Sequence, residues 1–373
     1  MGIALFLIFS SKPQLEEGES RVGFSIRDYL PFGKSDDLET NSTTTKTNIE
    51  EDGSANNLQD TSINQPVPRL RKISSEPVAG AIIFNTGTTS IVRFVEKGTG
   101  NVYEIKSDSV AVQRLTNTTI PKIIRAFWLP NGSGFLAQTL EPESEITETS
   151  FVKLKKNTAS TTNEILTPFS TTIGKLPTGI KEIAIKPDGA KIFYYIVDGS
   201  FSKWFISNPD GTGAASVFFH SLTEWTPKWN SSNTIIMQTK KSFETISYNY
   251  SFDISNKILK KTGTNETGIS TKTNTLAEKC VELKDKNPTV YCAVPSYLPS
   301  GNYPDVWYKG LVSTEDFIEK IDLANDVYYN IADLSDISGE KIDVVDMSIS
   351  PDENHLIFRN KIDGYLWMLR IEK

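Results

Sequence analysis

Histidine is nearly missing from this chain of 373 residues: there are two, His220 and His355, alongside two cysteines and four methionines. A protein metal site of the His/Cys type needs three or four such ligands brought together. Two histidines far apart in sequence make a poor kit, so the sequence calls for no metal and no cofactor. Also missing are a Gly-x-Ser-x-Gly elbow, a glycine-rich phosphate loop and a His-Glu-x-x-His helix. No catalytic residue is therefore assigned. Positive charge is in deficit, with 39 Lys and Arg against 46 Asp and Glu and a net charge of −7. A nucleic-acid binder needs a basic footprint over phosphates, so no nucleic-acid partner is expected.

Long apolar runs are lacking too. The run from Gly2 to Phe9 is about a third to a half of the ~20 residues that a membrane helix needs. It has no positive n-region of a signal peptide. Two readings stand: residues 1–12 are the remnant of a membrane anchor whose upstream part is absent from this chain, or they are a frayed start without a role. The adjoining segment favours the anchor. Residues 13–66 are polar, and 34–66 (KSDDLETNSTTTKTNIEEDGSANNLQDTSINQP) hold almost no large apolar side chain. Such a stretch cannot bury enough surface to offset its ordering entropy, and it is expected to be a disordered stalk. An apolar start, a polar stalk and then a folded domain is the order of a surface-tethered protein. Ahead of residue 34, VGFSIRDYLPFG reads either as an interfacial segment or as more of the same tail.

From residue 67 the texture changes. Short β-branched and aromatic runs alternate with Gly, Pro, Asn and Asp clusters, which is an all-β pattern. The pattern repeats. AFWLPNGSGFLAQTL from Ala126, IAIKPDGAKIFYYI from Ile183, TPKWNSSNTIIMQT from Thr226, CVELKDKNPTVYCAV from Cys280 and MSISPDENHLIFRN from Met347 each read strand, polar turn, strand. Pro presets φ, Asp or Asn caps the turn, and Gly accepts positive φ. A third strand follows each copy, and a weaker fourth follows most. Residues 79–116 supply one further set. Four antiparallel strands per unit at this spacing predict propeller blades. The last copy runs out after three strands. RLRKISSEPVAGAIIF (69–84) resembles RLTNTTIPKIIRAFW (114–128), so residues 69–73 are expected to complete the sixth blade and close the ring. The fold expected over 67–373 is thus a six-bladed β-propeller. Asp188 and Asp352 are read as turn caps and His355 as a solvated turn residue.

The PDG hairpins resemble the PD40, or TolB-type, WD40-like propeller repeat, which implies a fold and no activity. VYEI, RLTNTTIPKI, TEWTPKW, CAVPSYLPSGNYPDVWYKGLVS and SPDENHLIFRNKIDGYLWMLRI look like uncharacterised propeller proteins of Parcubacteria-type bacteria. That resemblance implies a membrane-anchored propeller outside the cytoplasm and transfers no catalytic residues.

Cys280 and Cys292 stand about equally far from the centre of one predicted turn, near Lys286. Residues equidistant from a turn face each other across an antiparallel pair. Their expected Cα separation of ~4.5–5.5 Å falls in the range that disulfides bridge. A disulfide and an oxidising compartment are expected; two buried thiols are the alternative.

The insertion at 295–315 is the most individual segment. It joins the second and third strands of the fifth blade, on the face of the blade-to-blade connections. Tyr303, Asp305, Trp307 and Tyr308 are its candidate ligand-binding residues, suited to a protein, peptide or glycan. In the alternative reading Trp307 and Tyr308 pack the loop onto its own blade. Trp225 and Trp229 either line the channel mouth or belong to the core. Glu182, Glu224 and Asp343 are candidate channel carboxylates, of interest because a glycosidase needs a pair ~5–10 Å apart. The functional expectation is a membrane-tethered, extracytoplasmic, non-enzymatic binding scaffold, with membrane contact only through the anchor. A glycan-active hydrolase or lyase is the alternative, and a cytoplasmic scaffold a third.

Overall fold

The computed structural model describes residues 66–372, apart from 142–145, 158–166, 241–245, 267–274, 277–278, 284–288 and 304. The expected anchor and stalk lie outside the described residues, except for Pro66.

Among the described residues, twenty-four strands form six four-stranded antiparallel sheets. Strand β1 (Leu70–Lys72) comes first in the chain and is taken up last. Blade 1 is β2 (Val78–Thr86), β3 (Thr89–Glu96), β4 (Val102–Lys106) and β5 (Val112–Arg114). Blade 2 is β6 (Ile123–Trp128), β7 (Gly134–Leu140), β8 (Thr147–Lys156) and β9 (Phe169–Lys175). Blade 3 is β10 (Ile180–Ile185), β11 (Ile192–Asp198), β12 (Phe201–Ser207) and β13 (Ala215–His220). Blade 4 is β14 (Trp225–Trp229), β15 (Thr234–Lys240), β16 (Ile246–Asp253) and β17 (Ile258–Glu266). Blade 5 is β18 (Cys280–Glu282), β19 (Thr289–Pro295), β20 (Asp316–Asp322) and β21 (Val327–Asp333). Blade 6 is β22 (Val344–Ile349), β23 (His355–Asn360), β24 (Leu366–Arg370) and, as its outer strand, β1.

The ring closes as the sequence implies. Leu70 pairs with Leu369, Arg71 with Met368 and Lys72 with Trp367. Two flanking bonds extend the ladder, Ile73 N to Leu366 O and Arg370 N to Arg69 O, both 2.8 Å. Arg71 also reaches sideways into blade 1, donating to Ser107 O and Ser109 O.

The turns explain why three of the hairpins read alike. Gly132 N bonds Leu129 O, Gly189 N bonds Lys186 O and Glu353 N bonds Ser350 O. In each, Pro takes the next position, Asn131, Asp188 or Asp352 follows, and the last residue has positive φ: 67°, 73° and 57°. This is a type I turn ending in a left-handed residue, a favoured hairpin connection. The Asn or Asp oxygen caps it by accepting from Ser133 N, Ala190 N or Asn354 N. Asp188 and Asp352 are turn caps, and they lie at the opposite ends of their strands from the blade-to-blade connections.

Apolar side chains fill the spaces between blades. Between blades 3 and 4, Phe193, Trp204, Trp225, Trp229 and Phe252 belong to one buried cluster. Trp225 sits edge-on to Trp204, and its indole donates to Leu222 O. Both candidate channel tryptophans are therefore core residues. At the centre the inner strands come close enough that a Cβ on Gly80 would meet Ala126 O at 2.1 Å. Inner-strand ion pairs also cross blade boundaries, Arg125–Glu182 at 2.5 Å and Lys228–Glu282 at 3.0 Å.

Cys280 and Cys292 are direct cross-strand partners and form a disulfide, with Cα atoms 4.1 Å apart. A loop of this size adds about 3 kcal/mol in the chain-entropy account. His355 departs from its expectation. It opens β23 half-buried, and its Nδ1 is buried without a hydrogen-bond partner. Burial lowers its pKa, partly opposed by Asp352.

Candidate functional site

The insertion is an ordered loop built around one side chain. It contains the one-turn helix α1 (Asp305–Tyr308). Ser296 N bonds Glu315 O at its base, Leu311 N bonds Val306 O, and the Tyr303 hydroxyl donates to Pro299 O. A Cβ on Gly301 would meet the Val306 side chain at 2.8 Å, so the loop needs glycine there.

Trp307 is the peg. It is 4% exposed, and its Nε1 donates to both carboxylate oxygens of Asp343, at 3.0 and 2.9 Å. Asp343 belongs to blade 6, just ahead of β22. The insertion of blade 5 is thus pinned on the neighbouring blade. Lys279 and Lys361 place their ammonium groups 5.1 and 4.9 Å from the Trp307 ring, a cation–π arrangement.

Beneath the peg lies a buried charge cluster. Lys279 Nζ donates to Asp316 Oδ2 at 2.6 Å, Asp343 Oδ1 at 2.7 Å and Thr314 Oγ1 at 2.7 Å. Side-chain exposure is 2% for Lys279 and 0% for both aspartates. Asp343 also accepts from Thr314 N and Oγ1. Asp316 Oδ2 accepts from Val344 N at 2.7 Å, whereas Asp316 Oδ1 has no hydrogen-bond partner. Burial pushes the Asp316 carboxyl up, with Lys279 pulling the other way. Lys361 Nζ approaches Asp343 Oδ2 at 3.7 Å from the rim. A cavity of about 10 Å³ adjoins the cluster, lined in part by Leu276, Pro295, Leu298 and Tyr303. That is room for about one water molecule.

The four sequence candidates are thus split. Trp307 is buried and structural in its contacts. Tyr308 is 55% exposed and meets Trp307 edge-on. Tyr303 is half-buried, its pKa raised by burial and by the nearby Asp343 and Tyr297. Asp305 opens α1 and is half-buried. Tyr297 and Leu311, unnamed by sequence reasoning, are the most exposed side chains of the loop among its large apolar residues, at 73% and 71%. Of the candidate carboxylates, Asp343 is buried in the cluster and Glu182 is bonded to Arg125.

Among the described residues no group of three His, Cys, Asp or Glu side chains could hold a metal ion. No described helix is long and apolar enough to cross a membrane.

The chain is a six-bladed β-propeller whose individuality lies in the blade 5 insertion. No family model matches it, and no curated protein does. Solved structures similar to it include TolB from Acinetobacter baumannii, at 11% identity over 80% of this chain and 64% of that one, with a TM-score of 0.41. An oligogalacturonate lyase from Vibrio parahaemolyticus is 9% identical over 82% of this chain and 94% of that one, with a TM-score of 0.41. The β-propeller domain of the Trilobed protease from Pyrococcus furiosus is 10% identical over 79% and 84%, with a TM-score of 0.37. These likenesses concern the fold.

Proposed function

We propose that this chain is a non-enzymatic binding scaffold, held outside the cytoplasm by an N-terminal membrane tether, that takes a protein or peptide on its loop-rich face. The reading rests on one observation: a backbone pegged by Trp307 presents Tyr297, Tyr308 and Leu311 to solvent. Exposed aromatic and aliphatic side chains on a fixed frame bind with little ordering cost. The disulfide supports an oxidising compartment. The apolar start and polar stalk, with the resemblance to Parcubacteria-type propellers, support the tether. The engagement of Asp343 and Glu182 by other groups favours binding over glycan hydrolysis or lysis.

The test is affinity capture from native membranes with the full chain, compared with a Tyr297→Ala/Tyr308→Ala/Leu311→Ala variant. Partner recovery is expected to drop at least about tenfold, since truncated interface anchors typically cost more than ~1 kcal/mol each. Equal recovery by the two forms discards this loop as the binding site. Recovery of a polysaccharide in place of a protein overturns the partner class. Trp307 is left intact, because its loss would disorder the loop and mimic a binding defect.

A further inference from the structure

We propose that Lys279 and Asp316 condense to an intramolecular isopeptide bond, with Asp343 as the proton relay. The three groups are in place. The Lys279 amine is 2.6 Å from one oxygen of Asp316 and 2.7 Å from one oxygen of Asp343. All three side chains are withdrawn from water. The two carboxyl groups differ in their surroundings. Asp343 accepts from Trp307, from the Thr314 amide and from the Thr314 hydroxyl, and Lys361 stands nearby. Those donors engage both of its oxygens. Asp316 has one oxygen without any partner and the other on Lys279 and the Val344 amide.

The balance closes without an added reagent. Lys279 passes one proton to Asp316, leaving a neutral amine and a neutral carboxylic acid. Burial pushes the Asp316 carboxyl up. The amine lone pair attacks Asp316 Cγ, and a C–N bond forms. Oδ2, which contacts Lys279 and accepts from the Val344 amide at 2.7 Å, carries the proton and becomes the departing hydroxyl, while Oδ1 gathers the negative charge. Asp343 takes a proton from the nitrogen and returns it to the departing hydroxyl. The C–O bond breaks and one water leaves. Bulk water opposes such a condensation, but oriented neighbours reach effective concentrations of about 10⁵–10⁸ M. The product leaves one charge pair, Asp343 with Lys361, where there were two. A buried ion pair is by itself a poor source of stability.

The location gives the bond a purpose. The inner strand β18 has 3 residues, against 5 to 9 in the other inner strands. Lys279 and Cys280 are consecutive at its start. The disulfide joins β18 to β19, and the amide would join it to the start of β20. Together they would stitch the shortest inner strand to both of its successors.

The experiment is intact-mass measurement on the reduced, denatured full chain, followed by peptide mapping. A mass below that of the sequence by one water, with a branched peptide joining Lys279 to Asp316, is the expected result. A mass equal to the sequence overturns the proposal, as does a branch to Asp343. An Asp343→Asn variant that retains the wild-type circular dichroism is expected to keep its water; if it folds and cross-links as before, the relay role is overturned. The wild-type map decides the bond itself even where that variant does not fold.

Discussion

At the scale of single residues, the contacts of His220 bear on its protonation. His220 Nδ1 accepts from Leu222 N at 3.0 Å, so it must be without a proton, and the ring lies edge-on to Trp225 and Tyr250. Adding a proton at Nδ1 sets donor against donor. Burial lowers the His220 pKa, as it does that of His355. The sign follows from linkage. The unfolded chain takes up protons near pH ~6.5 and the folded chain does so only lower. Stability from these groups is therefore present above that pH and is lost as pH falls through it. Thermal melts should show a decline between about pH 7.5 and 5.5, and a His220→Gln/His355→Gln variant should flatten it. An unchanged slope in that variant would assign the decline elsewhere. Neither feature was legible in the sequence, where His355 reads only as part of a turn. Its half-burial comes from the blade packing and not from its neighbours in the chain.

At the scale of elements, the Pro-Asp turns carry most of what the sequence revealed. Pro187-Asp188-Gly189 and Pro351-Asp352-Glu353 occupy equivalent hairpins, and only the last residue differs in its fitness for positive φ. Glu353 holds φ of 57° with a Cβ, which glycine avoids. Glu353→Gly should therefore stabilise the protein by about 0.5–1 kcal/mol after the entropy cost of glycine. Denaturant titration measures it, and a loss of stability would show that the Glu353 side chain contributes more than its backbone costs. Hairpins are local, so their turn residues and the Cys280–Cys292 register could be read directly. The Lys279–Asp316–Asp343 cluster could not. Its members come from three separate segments and meet only because blades 5 and 6 adjoin. Asp343 drew notice as a carboxylate near an inner-strand start, but nothing in the sequence marked it as buried beneath Trp307.

At the scale of the whole molecule, the ring depends on a junction made without a covalent connection. Five blades pass the chain directly to the next. The sixth is completed by β1, with Leu70 buried in a cluster that includes Leu334, Leu356 and Leu369. Leu70→Ala should cost about 2–5 kcal/mol, the range for a buried leucine. Unfolding in urea, with proteolysis to report where cleavage begins, checks it. Cleavage is expected first in blade 6. Wild-type stability in this variant would mean that the backbone ladder alone holds the ring shut. This closure was legible because residues 69–84 repeat the texture of 114–128, an outer strand leading into an inner one.

That same closure sets the path that a load on the chain would take. Any pull on the chain ahead of Pro66 arrives first at β1, at the outer rim of blade 6 and away from the central axis. Its resistance is the ladder from Arg69 to Ile73 and the seating of Leu70. The Arg71 grip on Ser107 and Ser109 passes part of that force to blade 1. Blades 1 and 6 would take up the strain together, while the insertion on blade 5, pegged to blade 6 through Trp307 and Asp343, stands one blade from the point of attachment. Strand β1, with its ladder and the seating of Leu70, is thus the element through which a pull on the chain ahead of it would enter the ring.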